Sequence, residues 1–187
     1  MKEMVMSSDE ILSVTERLGK ELSERLKDEE KLPIFVCVMK GAMQFCVDLM
    51  KHVTIPVVVD YVQLSSYEGT QSTGNVRLIK DMSYSIDKRT IVIVEDVVDT
   101  GYSMQFLKKH LQSIGSPKDI LICALFDKQP LHKVDVKVDY VGKVLTENKF
   151  LIGYGLDYRE IQRNVPYVYI PKDEEIAEMD KMIEEKF

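Results

Sequence analysis

The stretch IVIVEDVVDTGYSM, residues 91–104, restricts the fold more than any other part of the chain. Four β-branched residues run straight into Glu95 and Asp96, two valines follow, and then come Asp99, Thr100 and Gly101. A continuous apolar run is how a strand buried on both faces reads, and such strands belong to parallel sheets. A buried strand does not end in two carboxylates without a use, because the pair repel each other and burial adds a desolvation cost. In parallel sheets ligands sit beyond the carboxyl ends of the strands, and Glu95 to Ser103 falls at such an end. There the acidic pair can hold a hard cation or accept hydrogen bonds from hydroxyls such as those of a ribose. Gly101 lets the backbone turn closely around a ligand. The amides of about Thr100 to Ser103, at the positive end of the next helix, form a phosphate cradle with the Thr100 and Ser103 hydroxyls. Asp99 stands at its rim, where a carboxylate can act as a general base. An acidic loop with an ordinary helix cap would account for a bare D-T-G. The whole string describes a sugar-phosphate site. The G-x-x-x-x-G-K-[ST] and G-x-G-x-x-G phosphate loops are absent.

The rest of the chain supplies the layers around that strand. Ser7 and Glu10 form an S-x-x-E capping box, and Ile11, Val14, Leu18, Leu22 and Leu26 then predict a helix from about Ser8 to Asp28. Pro33 opens IFVCVM, a buried strand ended by Lys40 and Gly41. Ala42, Phe45, Cys46, Leu49, Met50 and Val53 follow at helical spacing. A strand is expected from Pro56 to Ser65, and Val76 to Lys80 returns from the polar loop SSYEGTQSTGN, whose length and glycines suit a mobile connection. The opening strand reads as Arg89 to Val94. Its helix, through Met104, Leu107, Leu111 and Ile114, is closed by Gly115 and Pro117. Further strands are expected at Asp119–Phe126, Val138–Gly142, Phe150–Ile152 and Val168–Ile170, with an acidic helix over Lys172–Phe187. Strands alternating with helices predict an α/β fold, a mainly parallel twisted sheet flanked by helices. No repeat, low-complexity tract or linker divides the 187 residues, which read as a single domain.

Composition excludes several function classes. A formal charge of -6 disfavours nonspecific binding to nucleic acid or to an anionic membrane. No apolar run approaches the ~20 residues of a membrane span. The opening MKEMVMSSDE lacks the apolar core of a secretory signal, so the expected address is cytoplasmic. Cys37, Cys46 and Cys123 lie in apolar surroundings at wide spacings and read as buried thiols of a reducing compartment. No Cys/His cage is visible, so any metal is a hard ion on carboxylates.

IVIVEDVVDTGYS resembles the binding motif for 5-phosphoribosyl-1-pyrophosphate (PRPP) in phosphoribosyltransferases, and four more stretches, in family order from about Pro33 to Ile170, resemble the hypoxanthine-guanine phosphoribosyltransferases. VMKGAMQF is similar to the family's pyrophosphate loop, and the resemblance implies that Lys40 and Gly41 bind PRPP there, with a Lys40–Gly41 peptide that can turn cis. LSSYEGTQSTGNV is similar to its flexible lid, about residues 65–76, in which Ser66 and Tyr67 fold over the reaction centre and exclude water. FDKQP places Lys128 where the family's lysine donates to the purine 6-oxygen. An ammonium is a donor only, so it favours 6-oxo over 6-amino bases. KFLIGYGLDYREIQR implies that Phe150 stacks on the purine and the Leu151 backbone pairs with its edge. It also implies that Asp157 supports a second Mg2+ and that Arg163 contacts pyrophosphate. Arg159 competes with Arg163 on charge alone, but the family spacing favours Arg163. The chain departs from relatives at Tyr102, where some carry lysine in the cradle, and at Gln63 and Ser65, near positions that are often basic.

The resemblance thus implies a purine-salvage transferase with a small hood formed by the terminal segments, about residues 143–187. PRPP and a 6-oxopurine (hypoxanthine, guanine or xanthine) are its substrates, IMP or GMP and pyrophosphate its products, and Mg2+ its cofactor. Glu95, Asp96, Asp99, Thr100, Gly101, Tyr102 and Ser103 hold PRPP, and Glu95, Asp96 and Asp157 serve the metal. Asp99, Ser66, Tyr67 and Arg163 are the catalytic residues, with Lys128, Phe150, Leu151 and Asp157 around the purine. A homodimer or homotetramer is implied, with no nucleic-acid or membrane partner. Two rivals are an enzyme of the same fold acting on adenine, xanthine or a pyrimidine, and a PRPP-sensing, nucleic-acid-binding regulator without turnover. A regulator would carry a basic stripe, which the acidic total opposes.

Overall fold

A computed structural model describes residues 3–66 and 76–186. Its centre is a six-stranded sheet in the order β4-β3-β2-β5-β6-β7, made of β2 (Ile34–Met39), β3 (Val58–Ser66), β4 (Val76–Lys80), β5 (Thr90–Val98), β6 (Asp119–Asp127) and β7 (Tyr140–Val144). Every pairing from β3 to β7 is parallel, and β4 runs antiparallel on the β3 edge. The mainly parallel sheet flanked by helices is therefore the fold.

Two apolar layers cover its central strands. α1 (Ser8–Leu26) and α2 (Met43–Met50) lie over one face, where Leu18, Leu22, Phe45 and Leu49 meet Phe35, Val92 and Val94. α3 (Tyr102–Ile114) lies over the other, where Met104, Leu107 and Leu111 meet Ile34, Ile91, Ile93 and Ile122. This is why β2, β5 and β6 read as unbroken apolar runs: successive side chains point into opposite layers, and both layers are dry. α1 begins at the predicted capping box. Ser7 Oγ accepts from Glu10 N at 3.3 Å, and Ser7 N donates to Glu10 Oε2 at 2.7 Å.

Several boundaries differ from the sequence expectation. α1 stops at Leu26, at the end of its apolar pattern and short of the expected Asp28, and α2 stops at Met50, before the last residue of its pattern, Val53. β5 runs on through Val98, because Glu95, Val97 and Val98 pair with Ala124, Phe126 and Asp127 of β6. Glu95 and Asp96 thus lie inside the strand, not beyond it. The last predicted strand before the hood shifts from Val138–Gly142 to β7, Tyr140–Val144. Gly115 closes α3 in an extended conformation, φ −173°, and not as a left-handed cap. Phe150–Ile152 forms no strand. Only Ile152 bridges to Tyr169, and the turn at Gly153, φ +96°, ends the pairing.

A second, two-stranded sheet was not anticipated. β1 (Glu3–Met6) pairs antiparallel with β8 (Val168–Ile170), and α4 (Asp173–Lys186) buries Met179 and Ile183 beside it. Four residues are too few for a periodic signal, so β1 is set by its partner and not by its own pattern.

Candidate active site

The carboxyl ends of the parallel strands open into a cavity of about 440 Å³. The β5 end contributes Glu95, Asp96, Asp99, Thr100, Gly101 and Ser103. The turn after β2 contributes Lys40 and Gly41, and the segment after Ile152 contributes Asp157, Glu160 and Arg163. With Leu64 and Ser65 at the end of β3, the structure brings together residues from four separate stretches of the sequence.

Glu95 is 7% exposed, and its one acid neighbour on the strand is Asp96. Burial, and then the Asp96 charge, push the Glu95 carboxyl well above the usual carboxylate range. Both acids accept from the backbone: Asp96 N donates to Glu95 Oε1 at 3.1 Å, and Val97 N to Asp96 Oδ1 at 2.8 Å. Gly41 lies hard against Asp96, and a Cβ there would sit 1.9 Å from Asp96 Oδ2. A close backbone approach, not flexibility, requires that glycine. The cis peptide is Met39–Lys40, one bond before the Lys40–Gly41 peptide considered from sequence.

After Val98 the chain turns through Asp99 and Thr100 into Gly101, whose φ of +84° is the left-handed conformation glycine tolerates. α3 starts at Tyr102, so its first amides have no partner within the helix and stand where an anion can meet them. The loop after β6 braces this turn. Lys133 N donates to the Thr100 carbonyl at 3.0 Å, and a Cβ on Gly101 would meet Val136 Cγ1 at 2.7 Å. The same loop is pinned by His132 Nε2 on the buried Asp127, 2.7 Å apart. Its first residue, Lys128, is 6% exposed and reaches Asp99 Oδ2 at 3.2 Å. The predicted purine lysine and the predicted base are therefore in contact.

Across the cavity, Arg163 is held from several sides. Its Nη1 donates to the Gly155 carbonyl at 2.8 Å, and Nη2 reaches Asp157 Oδ1 at 2.8 Å and Glu160 Oε2 at 3.1 Å. Its buried Nε has no hydrogen-bond partner among the described residues. Glu160 also binds Lys40 Nζ at 2.9 Å. The hydrogen bond from Lys40, with Arg163 beside it, holds the Glu160 carboxyl below the usual range. Gly155, φ +98°, would place a Cβ 2.1 Å from the Gly41 carbonyl, so the two loops touch through backbone. Arg159, the rival on charge, points elsewhere and pairs with Asp180 of α4 at 2.8 Å.

Tyr102, Lys128, Phe150 and Leu151 are not among the residues lining this cavity. Phe150 is 52% exposed, with Tyr158 edge-on at 6.0 Å between ring centroids, and Leu151 is buried. Ser66 ends β3. Tyr67 and most of the predicted lid lie outside the described residues. Glu160 was missed. Its only signal in the sequence is its place midway between Asp157 and Arg163, which does not separate it from a solvated surface acid. Ser65 and Leu64 also line the cavity, at the end of β3.

The cavity carries five carboxylates (Glu95, Asp96, Asp99, Asp157, Glu160) against two cations (Lys40, Arg163). A polyphosphate enters such a surface only with countercharge, so the donor set fits a hard dication carried in with the substrate. Among the described residues no group of three Asp, Glu, His or Cys stands ready to cage a metal.

Comparison with known proteins agrees with this geometry. The sequence pattern of the phosphoribosyl transferase domain matches residues 7–159. The hypoxanthine-guanine-xanthine phosphoribosyltransferase of Tritrichomonas foetus is 38% identical over 174 residues, 92% of this chain and 93% of that protein. The crystal structure of a hypoxanthine phosphoribosyltransferase from Staphylococcus aureus superposes with a TM-score of 0.86 at 35% identity, covering 93% of each chain. A hypoxanthine phosphoribosyl transferase from Trypanosoma cruzi, studied for the role of its C-terminal region in oligomeric state and activity, gives 0.88 at 27% identity over 96% of this chain and 95% of that one. A match of this extent, with the β5 acids and the glycine-opened turn at its centre, makes the chain a member of the hypoxanthine-guanine phosphoribosyltransferases.

Proposed function

We propose that the chain is a purine-salvage enzyme that transfers the phosphoribosyl group of PRPP to N9 of a 6-oxopurine, hypoxanthine or guanine, with release of pyrophosphate. One observation carries the reading. The acidic pair, the glycine-opened turn and the Lys40–Arg163 cations all line one cavity at the strand ends. The xanthine in the name of the T. foetus relative extends the substrate range to be tested.

In this reading the Asp99-to-Ser103 turn holds the 5-phosphate, and Glu95 and Asp96 take the ribose hydroxyls, directly or through Mg2+. Lys40, the Gly41 backbone and Arg163 take the pyrophosphate. Arg163 lines the cavity, and a planar guanidinium suits phosphate oxygens. Bound Mg2+ supplies charge neutralisation of the leaving group. The ribose carbon becomes cation-like as the bond to pyrophosphate breaks, so positioning and leaving-group stabilisation carry the rate. Asp99 accepts or orients the proton at purine N7. Lys128, already beside Asp99, donates to the 6-oxygen. Phe150 stacks on the ring, the Leu151 backbone meets its edge, and Ser66 and Tyr67 close over the centre. The terminal segments, from about residue 143, form a hood over the base of this single domain. The reading includes a homodimer or homotetramer, and the T. cruzi relative was studied for its oligomeric state. Three free, buried cysteines support a reducing, cytoplasmic setting. Nothing favours the regulator.

The test is nucleotide formation from PRPP and Mg2+ with hypoxanthine, guanine, xanthine and adenine in parallel. Turnover with hypoxanthine or guanine and little with adenine is expected. PRPP binding without turnover on any base would overturn the reading.

A further inference from the structure

Glu160 occupies an unusual place. It lines the cavity, yet it is half-exposed and belongs to an irregular segment in which it adopts a left-handed backbone, φ +75°, as Arg159 and Gln162 do at +47° and +72°. Non-glycine residues adopt such angles rarely, and their surroundings must hold them there. Here Asp157 Oδ2 accepts from Glu160 N at 2.7 Å, which fixes the turn and aims the side chain back at Lys40 and Arg163. Lys40 is on the loop after β2, and Arg163 is 123 positions later in the chain. The Glu160 carboxylate is the group that touches both.

We infer that Glu160 is a built-in competitor for the pyrophosphate subsite: its carboxylate engages the same two cations that the pyrophosphate needs, so substrate binding exchanges one anion for another. The inference rests on the proposed assignment of Lys40 and Arg163 to pyrophosphate. It gives Glu160 two effects of opposite sign. The carboxylate keeps two like charges from splaying apart, so the cations are already gathered when the polyanion arrives. It must also give way, which weakens pyrophosphate binding and speeds the departure of the product. Asp157 remains on Arg163 in either arrangement, so the exchange releases the Lys40 contact and one of the contacts to Arg163. Glu160 is thus a positioning residue that tunes affinity for the leaving group downward.

The sign of the effect separates this role from a structural one, because damage to a site loosens binding and removal of a competitor tightens it. The experiment is calorimetric titration of inorganic pyrophosphate, at fixed free Mg2+, into the full-length wild type, Glu160→Gln and Glu160→Asp. Glu160→Gln is expected to bind about threefold to tenfold more tightly, the scale of one or two partly exposed ion pairs, and Glu160→Asp to return toward wild type. In turnover, KM for PRPP should fall and kcat should fall with it, as product release slows. Unchanged or weaker binding by Glu160→Gln, with an unchanged Tm, would overturn the inference and make Glu160 a metal-side or structural group. If Glu160→Gln fails to fold, Glu160→Asp carries the test through ionic strength: its longer, weaker pairs should bind pyrophosphate more tightly than wild type at low salt, and equal or weaker binding there overturns the inference. Failure of the wild type to bind pyrophosphate at all would remove the subsite assignment and this inference together.

Discussion

Two buried carboxylates on strands either side of β2 have opposite fates. Asp60 on β3 and Glu95 on β5 flank β2, and both are less than a tenth exposed. Asp60 accepts from Ser83 N at 2.6 Å, Tyr61 N at 2.8 Å and Lys80 Nζ at 3.3 Å. Burial alone would raise its pKa, but those donors outweigh it and hold the carboxyl below the usual range. Glu95 has one backbone donor, and a second acid beside it, and its carboxyl is held well above that range. A carboxylate with a structural task is satisfied by the protein. A carboxylate left short of donors beside a cavity is the kind of group whose remaining partners a ligand can supply.

The largest expected effect separates these two tasks by activity. Neutralising the pair in Glu95→Gln/Asp96→Asn should cut nucleotide formation about 10³-fold while the protein stays folded, since preorganised charge at the reacting centre is lost. Thermal unfolding in the same samples checks that the loss is catalytic. Next comes Asp60→Asn, which leaves buried donors without their acceptor charge. It should cost about 3 kcal/mol of stability in urea unfolding and leave turnover per folded molecule near wild type. A comparable loss of activity in Asp60→Asn would erase the distinction.

The third effect depends on pH. Because the folded state holds the Glu95 proton more tightly than the unfolded chain, stability of the metal-free protein should fall as pH rises from the ordinary carboxylate range through the raised value. Glu95→Gln should flatten that slope. Asp60 behaves in reverse: its contribution is complete above the ordinary carboxylate range and is lost as pH falls through the depressed value. Urea unfolding from strongly acid to mildly alkaline pH measures both. The smallest effect concerns Asp180 on α4, an exposed acid that accepts from Tyr158 Oη at 2.9 Å and from Arg159. Asp180→Asn should change KM for hypoxanthine by no more than about twofold, since exposed pairs contribute little.

Asp60 and Glu95 also mark what the sequence could reveal. Each is an acid within an apolar run, VVVDYVQ and IVIVEDVV, and the runs alone do not distinguish them. Glu95 became legible because Asp99, Thr100 and Gly101 follow within one turn, so the whole proposed PRPP cradle sits in one local string. Asp60 stayed unremarked because its donors, Lys80 and Ser83, come from some twenty residues away. The core strands were legible for the same local reason, since burial on both faces leaves an unbroken apolar run. The segment after β7, proposed as a hood, was read only through family resemblance. Its path from Ile152 to Arg163 bends through left-handed residues at Tyr154, Arg159, Glu160 and Gln162, which no periodicity announces. Glu160 is paired with a lysine 120 positions earlier, and only the fold could reveal that contact.

The most direct test of the account is a titration of PRPP with Mg2+ into wild type, Asp60→Asn and Glu95→Gln/Asp96→Asn. The account predicts that wild type and Asp60→Asn bind alike, and that the β5 double variant binds at least about tenfold more weakly. Equal binding by all three would contradict it, because the acids of β5 would then have no part in holding the sugar phosphate.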